Sequence, residues 1–352
     1  MVRFPPGAGA PVISARVRAC PEDFVVEERC PVVPDPAGEH LWIRVRKRGW
    51  NTADAARVLA RAAGLRIREV GYSGLKDRNA VATQWFSLWL RRRPEPRFDR
   101  LPDGLEVLER VRCVRKLRRG MHTGNRFVIR LREADCTFPR VEARLEQIAR
   151  EGFPNYFGPQ RFGRNFRNVT RAARLFRASE PEPNRHLRGL WISAARAWIF
   201  NHVLARRVDS GCWRRLIDGD VPDAEGLPTG PLWGEGEAAV SGAAAALEAA
   251  VAARFAALRD GLARTRMPPG RRPLVAQARE LCWEYEENQT ASLRLDFVLP
   301  PGVYATALLA ELVGEAAARG SPTDCYPARP QNARRSSTYK APVPPSTGRA
   351  EV

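Results

Sequence analysis

Residues 71–90 read GYSGLKDRNAVATQWFSLWL and combine a short polar loop with an apolar run. Gly71 and Gly74 frame the loop, and glycine permits backbone angles that other residues resist. Residues 84–90 are rich in the aromatic and large apolar side chains that are typical of strands. The stretch therefore predicts a loop that leads from a helix into a strand of a sheet.

Further strand patterns lie on both sides of this stretch. In residues 41–46 (LWIRVR), every second side chain is Leu, Ile or Val, and the others are tryptophan and arginine. This alternation predicts a strand with one buried face. A helix fits residues 51–64, where Asn51 or Thr52 can cap the first turn and Gly64 ends the last. In this part of the chain we predict strands at 22–28, 41–46, 84–90, 126–131 and 292–299, and a second helix at 141–151.

The middle of the chain has a different pattern. Residues 193–208 suit a helix opened by Ser193, and residues 236–262 are rich in Ala, Leu and Glu. Strands before and after a mainly helical stretch suggest an insertion into a sheet domain. The end of the chain is rich in Pro, Ser and Arg, which is typical of a disordered tail. We predict a discontinuous sheet domain at 12–151 and 278–318, an inserted domain at 152–277 and a tail at 319–352.

The charge balance is strongly basic. The 352 residues include 58 Lys and Arg against 39 Asp and Glu, which gives a formal net charge of +19. The basic residues cluster within 44–48, 110–119 and 161–177. Such clusters favour a polyanionic partner such as RNA, although a generally basic proteome or a solvated charged face would give the same composition.

Other classes of protein are disfavoured by the sequence. No stretch approaches the about 18 apolar residues of a membrane span, and the N-terminus lacks the pattern of a signal peptide. The seven cysteines are scattered and form no Cys-x-x-Cys pair. These features predict a cytoplasmic protein without a membrane association, a zinc site or a disulfide framework.

Asp77 is the candidate for chemistry in the loop at 71–80. It is a single acid between Lys76 and Arg78, and nearby cations favour the ionised carboxylate that a carboxylate nucleophile requires. A Lys-Asp-Arg triplet is also common in solvated turns, so the spacing alone leaves both interpretations open.

Several longer motifs occur together with this triplet. The run GLKDR at 74–78, followed by Ala80, Thr83, Gln84 and Trp85, resembles the catalytic motif of the TruD pseudouridine synthases. Other segments on both sides of this run also resemble family motifs and occur in the family's order. They are 21–27 (PEDFVVE), 39–41 (EHL), 46–52 (RKRGWNT), 124–127 (GNRF), 154–163 (PNYFGPQRFG), 193–196 (SAAR), 200–201 (FN), 230–234 (GPLWG) and 299–306 (LPPGVYAT). The resemblance covers about residues 12–314.

The resemblance implies a fold and a reaction. The fold is α+β: a pseudouridine synthase catalytic domain with a mixed, mainly antiparallel sheet flanked by helices, interrupted by an inserted TruD-specific α/β domain. The reaction turns one uridine of tRNA, at position 13 in the family, into pseudouridine. It breaks the C1′–N1 bond, turns the base and joins C1′ to C5. The resemblance implies tRNA as the partner, with no cofactor, no metal and no protein partner.

The same resemblance assigns site residues. Asp77 is the nucleophile, either by attack at C1′ or by helping to form a glycal intermediate. Phe24, Asn125 and Tyr304 match positions that contact the substrate uridine, through stacking for the rings and through hydrogen bonds for the amide. Tyr304 departs from the family pattern, in which Phe is common, and its additional hydroxyl needs a hydrogen-bond partner.

Three more residues are candidates for support of the active site. Arg18 either pairs with Asp77 or is a surface arginine. Lys76 either takes part directly or shapes the loop and touches phosphate. Phe127 lies on the same strand face as Asn125, two residues away, and either lines the pocket or belongs to the core.

Two other functions remain open from the sequence. One is an RNA-binding protein or tRNA folding chaperone in which catalysis is lost or secondary. The other is an RNA hydrolase with a lone carboxylate, for which the sequence offers no second acid with evident metal-site spacing.

Overall fold

The computed structural model describes residues 4–91, 93–135, 137–177, 184–236, 239–287 and 291–314. The predicted tail and residues 315–318 lie outside the described residues. The strands in chain order are β1 Ser14–Val17, β2 Phe24–Arg29, β3 His40–Arg48, β4 Val70–Tyr72, β5 Val81–Trp89, β6 Leu105–Cys113, β7 Gly124–Asp135, β8 Phe153–Pro154, β9 Thr229–Leu232, β10 Gly270–Pro273, β11 Val275–Ala276, β12 Arg279–Glu287 and β13 Ala291–Leu299. The helices are α1 Thr52–Ala62, α2 Phe138–Glu151, α3 Arg167–Phe176, α4 Arg185–Asp209, α5 Gly242–Ala253, α6 Ala256–Ala263 and α7 Ala305–Leu312.

The described residues form two compact units. The sheet unit comprises residues 13–138 and 278–301, and the helical unit comprises 4–12, 139–277 and 302–314. The domain limits that we drew from the sequence remain a prediction. Among the described residues, none of the helices combines the length and apolar character needed to cross a membrane.

A nine-stranded sheet dominates the sheet unit. Its main path runs β12-β13-β7-β2-β5-β3-β6, while β1 pairs with β7 and β4 pairs with β5. Every pairing is antiparallel except that of β2 with β5, which is parallel. This arrangement confirms the expected mixed, mainly antiparallel sheet.

Strand β3 and helix α1 show how the sequence builds the core of this unit. Leu41, Ile43 and Val45 lie on the face of β3 that packs with α1, where Leu59 is fully buried. The side chain of Asn51 accepts a hydrogen bond from the Asp54 amide and caps α1, as predicted. The expectation that β3 has only one buried face is wrong at its start. Trp42 is 3% exposed because a second cluster with Trp85, Cys113 and Leu117 covers it.

Close packing around Gly71 leaves no room for a side chain at this position. Neither Gly71 nor Gly74 is among the residues with positive φ, so neither uses the left-handed conformation that glycine permits. A Cβ atom on Gly71 would lie 2.2 Å from the carbonyl oxygen of Leu117. The missing side chain therefore lets β4 approach the segment that contains Leu117.

The helical unit is built around α4. Helices α3, α5 and α6 pack against it through a cluster that includes Trp191, Ile199, Val251 and Leu262. The helix begins eight residues before the start that we predicted, because Asn184 caps it by accepting from the Leu187 amide. The prediction that Ser193 opens the helix is therefore wrong.

Candidate active site

The carboxylate of Asp77 is held between a cation and a backbone amide. Arg18 donates from Nη1 to Oδ2 over 2.9 Å, and the Asn79 amide donates to Oδ1 over 3.1 Å. The Asp77 side chain is 42% exposed. An ionised carboxylate in this setting is fixed in orientation and still open to a substrate from solvent.

Arg18 joins two residues that lie far apart in the sequence. Its guanidinium carbon is 3.9 Å from the centre of the Phe24 ring, while the same side chain pairs with Asp77. Its backbone has φ of 59°, a left-handed conformation that costs a non-glycine residue free energy. The structure thus brings the predicted residues Arg18, Phe24 and Asp77 together, and the ion pair that the sequence left open is present.

Lys76 lies in a buried polar cluster. Its ammonium is 2.8 Å from Oε2 of Glu28 and 2.5 Å from Oδ1 of Asn125. Glu28 and Asn125 face each other directly across β2 and β7, and the Trp85 amide donates to Oε1 of Glu28. The buried charges compensate each other, which lowers the cost of taking them out of water. Sequence reasoning missed Glu28, because its partner Lys76 lies in a loop that is distant in the sequence.

Phe127 packs within a row of aromatic rings. Its ring centre is 6.0 Å from that of Phe24 and 5.5 Å from that of Phe297, and the residue is 8% exposed. These are the contacts of a core side chain that supports the ring of Phe24. A direct role of Phe127 in lining a uridine pocket stays a prediction.

Side chains from other motifs hold the backbone of the Asp77 loop. Thr52 Oγ1 accepts from the Lys76 amide over 2.9 Å and donates to Gln84 Oε1 over 2.9 Å. Gln84 in turn donates from Nε2 to the Gly74 carbonyl over 3.2 Å. Thr52 and Gln84 both lie in motifs that resemble the family, and in the structure both hold the backbone of the loop that contains Asp77.

Lys47 makes three further contacts with backbone carbonyl groups. Its ammonium donates to the carbonyl oxygens of Trp50 at 2.6 Å, Asp77 at 2.8 Å and Lys76 at 3.4 Å. Burial lowers the pKa of Lys47 from 10.5 to about 8; the carboxylate of Asp77 opposes this shift, and the ammonium of Lys76 adds to it.

Tyr304 lies in the helical unit, and its hydroxyl has the partner that its departure from Phe requires. Arg161 donates to Tyr304 Oη from Nε at 3.0 Å and from Nη2 at 2.7 Å. Arg161 also donates from Nη1 to Ser193 Oγ at 3.0 Å. Tyr304 therefore fixes the guanidinium of an arginine from the 154–163 motif.

Arg272 lies close to Arg161 in the same unit. It donates to Asn155 and to the Gly302 carbonyl, and its guanidinium carbon is 4.1 Å from the centre of the Phe157 ring. Burial lowers the pKa of Arg272 to about 10, and the charge of Arg161 contributes to this shift. Among the described residues, neither arginine forms a salt bridge with a carboxylate. Arg161 and Arg272 therefore place two positive charges close together, and no carboxylate of the described residues pairs with either of them.

No metal cluster is evident in the described part of the chain, where no group of three His, Cys, Asp or Glu side chains is arranged to hold an ion.

Comparisons with known proteins support the resemblance. The family model for tRNA pseudouridine synthase D (TruD) matches residues 8–176. The tRNA pseudouridine synthase D of Pseudomonas putida (strain KT2440) is 40% identical over 344 residues, which covers 91% of this chain and 97% of that protein. The protein of the same name from Pseudomonas syringae pv. syringae (strain B728a) is 42% identical over 323 residues, or 85% of this chain and 91% of that protein.

A solved structure supports the fold. A crystal structure from Methanosarcina mazei, described as tRNA pseudouridine synthase D (TruD), matches with a TM-score of 0.66 at 20% identity. The match covers 89% of this chain and 96% of that chain. It confirms the expected α+β fold. The sequence relatives and the family model confirm the resemblance and the expected enzyme class of a pseudouridine synthase, an isomerase: the chain belongs to the tRNA pseudouridine synthase D (TruD) family.

Proposed function

We propose that this chain isomerises a uridine of tRNA, at position 13, to pseudouridine, with Asp77 as the catalytic nucleophile. The observation that carries this proposal is the geometry of one carboxylate. Asp77 is partly exposed, is oriented by Arg18 and by the Asn79 amide, and lies in a loop whose backbone is tied to its surroundings. A nucleophile that is ionised and already oriented loses little entropy when the substrate binds.

The proposed reaction is a rearrangement within one nucleotide. The C1′–N1 bond breaks, the uracil turns, and a C1′–C5 bond forms while the hydrogen on C5 leaves as a proton and N1 gains one. The product has the same atoms as the substrate, so the balance requires no oxidant, reductant or group donor. Asp77 takes part by attacking C1′ or by assisting formation of a glycal, and both routes need its ionised form.

Phe24 and Asn125 are proposed to hold the uracil near Asp77. The Oδ1 atom of Asn125 accepts from Lys76, so its amide nitrogen is the group left for an oxygen of the base. The guanidinium of Arg18 covers a face of the Phe24 ring. Arg18 therefore links the ring that is proposed to hold the base with the carboxylate that is proposed to react.

Contacts to the tRNA backbone are proposed for basic side chains of both units. A net charge of +19 suits a partner of high negative charge, and arginine forks onto phosphate oxygens. In the helical unit, Arg161 and Arg272 offer positive charge without acidic compensation among the described residues, next to the ring of Tyr304. The proposal places the chain in the cytoplasm with its substrate and requires no other protein.

The test is a product analysis. Purified protein is incubated with an unmodified tRNA transcript without any added cofactor, and the position of pseudouridine is mapped. We expect conversion at uridine 13, with the RNA chain intact. Cleaved RNA would support a hydrolase, and refolded RNA without pseudouridine would support a chaperone; either result would refute the proposal. Mapping of tRNA from cells with and without the gene tests the position independently.

A further inference from the structure

Lys47 occupies a place in the core where an apolar side chain is expected. Every second side chain of β3 points to the same face, which carries Leu41, Ile43, Val45 and Lys47. The first three belong to the hydrophobic cluster that packs against α1. Lys47 has 0% of its surface exposed. An ammonium removed from water is costly unless hydrogen bonds and charges compensate it. The position of Lys47 therefore calls for a reason beyond packing.

Backbone carbonyl groups supply the compensation. The ammonium of Lys47 donates to the carbonyls of Trp50, Lys76 and Asp77, and the latter two carbonyls belong to the active-site loop. Within the described residues, Lys47 has no carboxylate within salt-bridge distance. The charge is thus directed at the backbone of the residues on either side of the Lys76–Asp77 peptide bond.

Asp77 is consequently fixed at both ends. Arg18 and the Asn79 amide orient its carboxylate, whereas Lys47 holds its carbonyl group. A rotation of the backbone at Asp77 would have to break the 2.8 Å contact with Lys47 before the carboxylate could swing away from its present direction.

We propose that Lys47 is a positioning residue of the active site: its buried ammonium fixes the main chain at Lys76 and Asp77 so that the Asp77 carboxylate is presented to the substrate in a single orientation. The inference rests on the proposed role of Asp77. It goes beyond that role because it assigns a task to a side chain that touches neither substrate nor reacting atoms.

A structural role and a positioning role differ in their consequences. If Lys47 served only to fill the core, a folded Lys47→Met variant would keep the wild-type rate constant, because methionine has a similar length and adapts to the available space. If Lys47 positions Asp77, the Lys47→Met variant folds but leaves the loop free to move. A displacement of about 1 Å at a reacting group can lower a rate about 100-fold.

The experiment compares Lys47→Met with Arg57→Met, a matched control that removes an exposed cation from α1, where Arg57 pairs with Asp54. We expect Lys47→Met to remain folded at the assay temperature, as checked by circular dichroism, and to keep its KM for tRNA, with a single-turnover rate constant lowered about 100-fold. Its melting temperature should fall, because the carbonyl groups of Trp50, Lys76 and Asp77 lose their donor. The control should keep the wild-type rate constant. A folded Lys47→Met variant with the wild-type rate constant would overturn the inference.

A pH profile gives a second measurement that does not depend on the variant folding. The charged groups that face Lys47 are Asp77 and Lys76. As the pH rises through about 8, Lys47 loses its proton, and its hold on the two carbonyls weakens. The wild-type rate constant should therefore fall above about pH 8, whereas that of a folded Lys47→Met variant should not show this step.

The outcomes are separable from those of the proposed function. A wild-type rate constant that stays flat from about pH 7 to about pH 9.5 would overturn the role of Lys47 even if the variant does not fold. A wild-type protein that makes no pseudouridine would refute the proposed function itself. An active wild type with an unimpaired variant would refute only the role of Lys47.

Discussion

The cations around Asp77 in the sheet unit and the arginine pair of the helical unit, Arg161 and Arg272, are used in opposite ways. Around Asp77, Arg18 and Lys76 pair with carboxylates, and Lys47 donates to backbone carbonyls. In the helical unit, Arg161 and Arg272 bind neutral oxygens and lie against aromatic rings. The first arrangement orients an acid with its charge nearly balanced, and the second keeps positive charge available.

This difference suggests a division of labour within one basic chain. Charge that is already balanced adds little attraction for a distant polyanion, but it can fix the geometry of a reacting group. Charge that remains uncompensated raises affinity for phosphate and carries the salt dependence of RNA binding. Substitutions in the sheet unit should therefore change the rate constant, and substitutions at the arginine pair of the helical unit should change KM.

The largest effect is expected for Asp77→Asn. The amide keeps the shape of the side chain but removes the proposed nucleophile, so the single-turnover rate constant should fall about a thousandfold or more. The affinity for tRNA should remain close to that of the wild type, as measured by filter binding. Substantial activity in this variant would remove Asp77 from the mechanism and with it the contrast between the two units.

The next effect is expected for Arg18→Met, which removes the partner of Asp77 and the cation above Phe24. Loss of a hydrogen bond to a charged group corresponds to a rate constant lowered about 10- to 100-fold. The melting temperature should hardly change, because the ion pair is about one-third exposed. Arg18→Lys should recover part of the rate, since it retains the charge. A wild-type rate in Arg18→Met would show that the ion pair is incidental.

A smaller effect, on KM alone, is expected for Arg161→Met. If Arg161 contributes a phosphate contact, KM for tRNA should rise about tenfold, equivalent to about 1.4 kcal/mol. The slope of log affinity against log salt concentration should decrease by about one unit. Arg57→Met serves as the control for loss of a cation. An unchanged salt slope would argue against a phosphate contact at this position.

The smallest effect is expected for Tyr304→Phe. The substitution keeps the aromatic ring but removes the oxygen that accepts two hydrogen bonds from Arg161. A net hydrogen-bond contribution of about 0.5–1 kcal/mol predicts a two- to fivefold rise in KM. Tyr304→Ala should cost more, because stacking on a base contributes about 1–3 kcal/mol. Equal effects of the two variants would mean that the ring does not touch the base.

The sequence predicts the centre of the sheet better than its edges. The apolar alternation of β3 and the Asn51 cap of α1 are local patterns and were predicted from the sequence. Strands β6 and β12, which were missed, are the two ends of the main sheet path. Both strands, LEVLERVRC and RELCWEYEE, are rich in charged side chains. In β12, however, Leu281, Trp283 and Tyr285 do alternate with other residues, so a local strand signal was present there and was overlooked.

The residues of the candidate site also differ in how far they could be predicted from the sequence around them. The motif at residue 77 could be identified from neighbouring residues, and the family resemblance supplied Phe24 and Asn125. The pairing of Glu28 with Lys76 depends on the registers of strands that are distant in sequence. A local signal did exist for Lys47, because continuing the alternation of β3 places a lysine on the core face after Val45.

If Asp77 initiates an exchange at C1′, the hydrogen on C5 of one uridine must be released. The most direct measurement counts tritium released to water from tRNA transcribed with [5-³H]uridine. With excess wild-type protein, the account predicts release of a single tritium for each tRNA molecule and none with Asp77→Asn. Release by Asp77→Asn at the wild-type rate, or no release by the wild type, would contradict it.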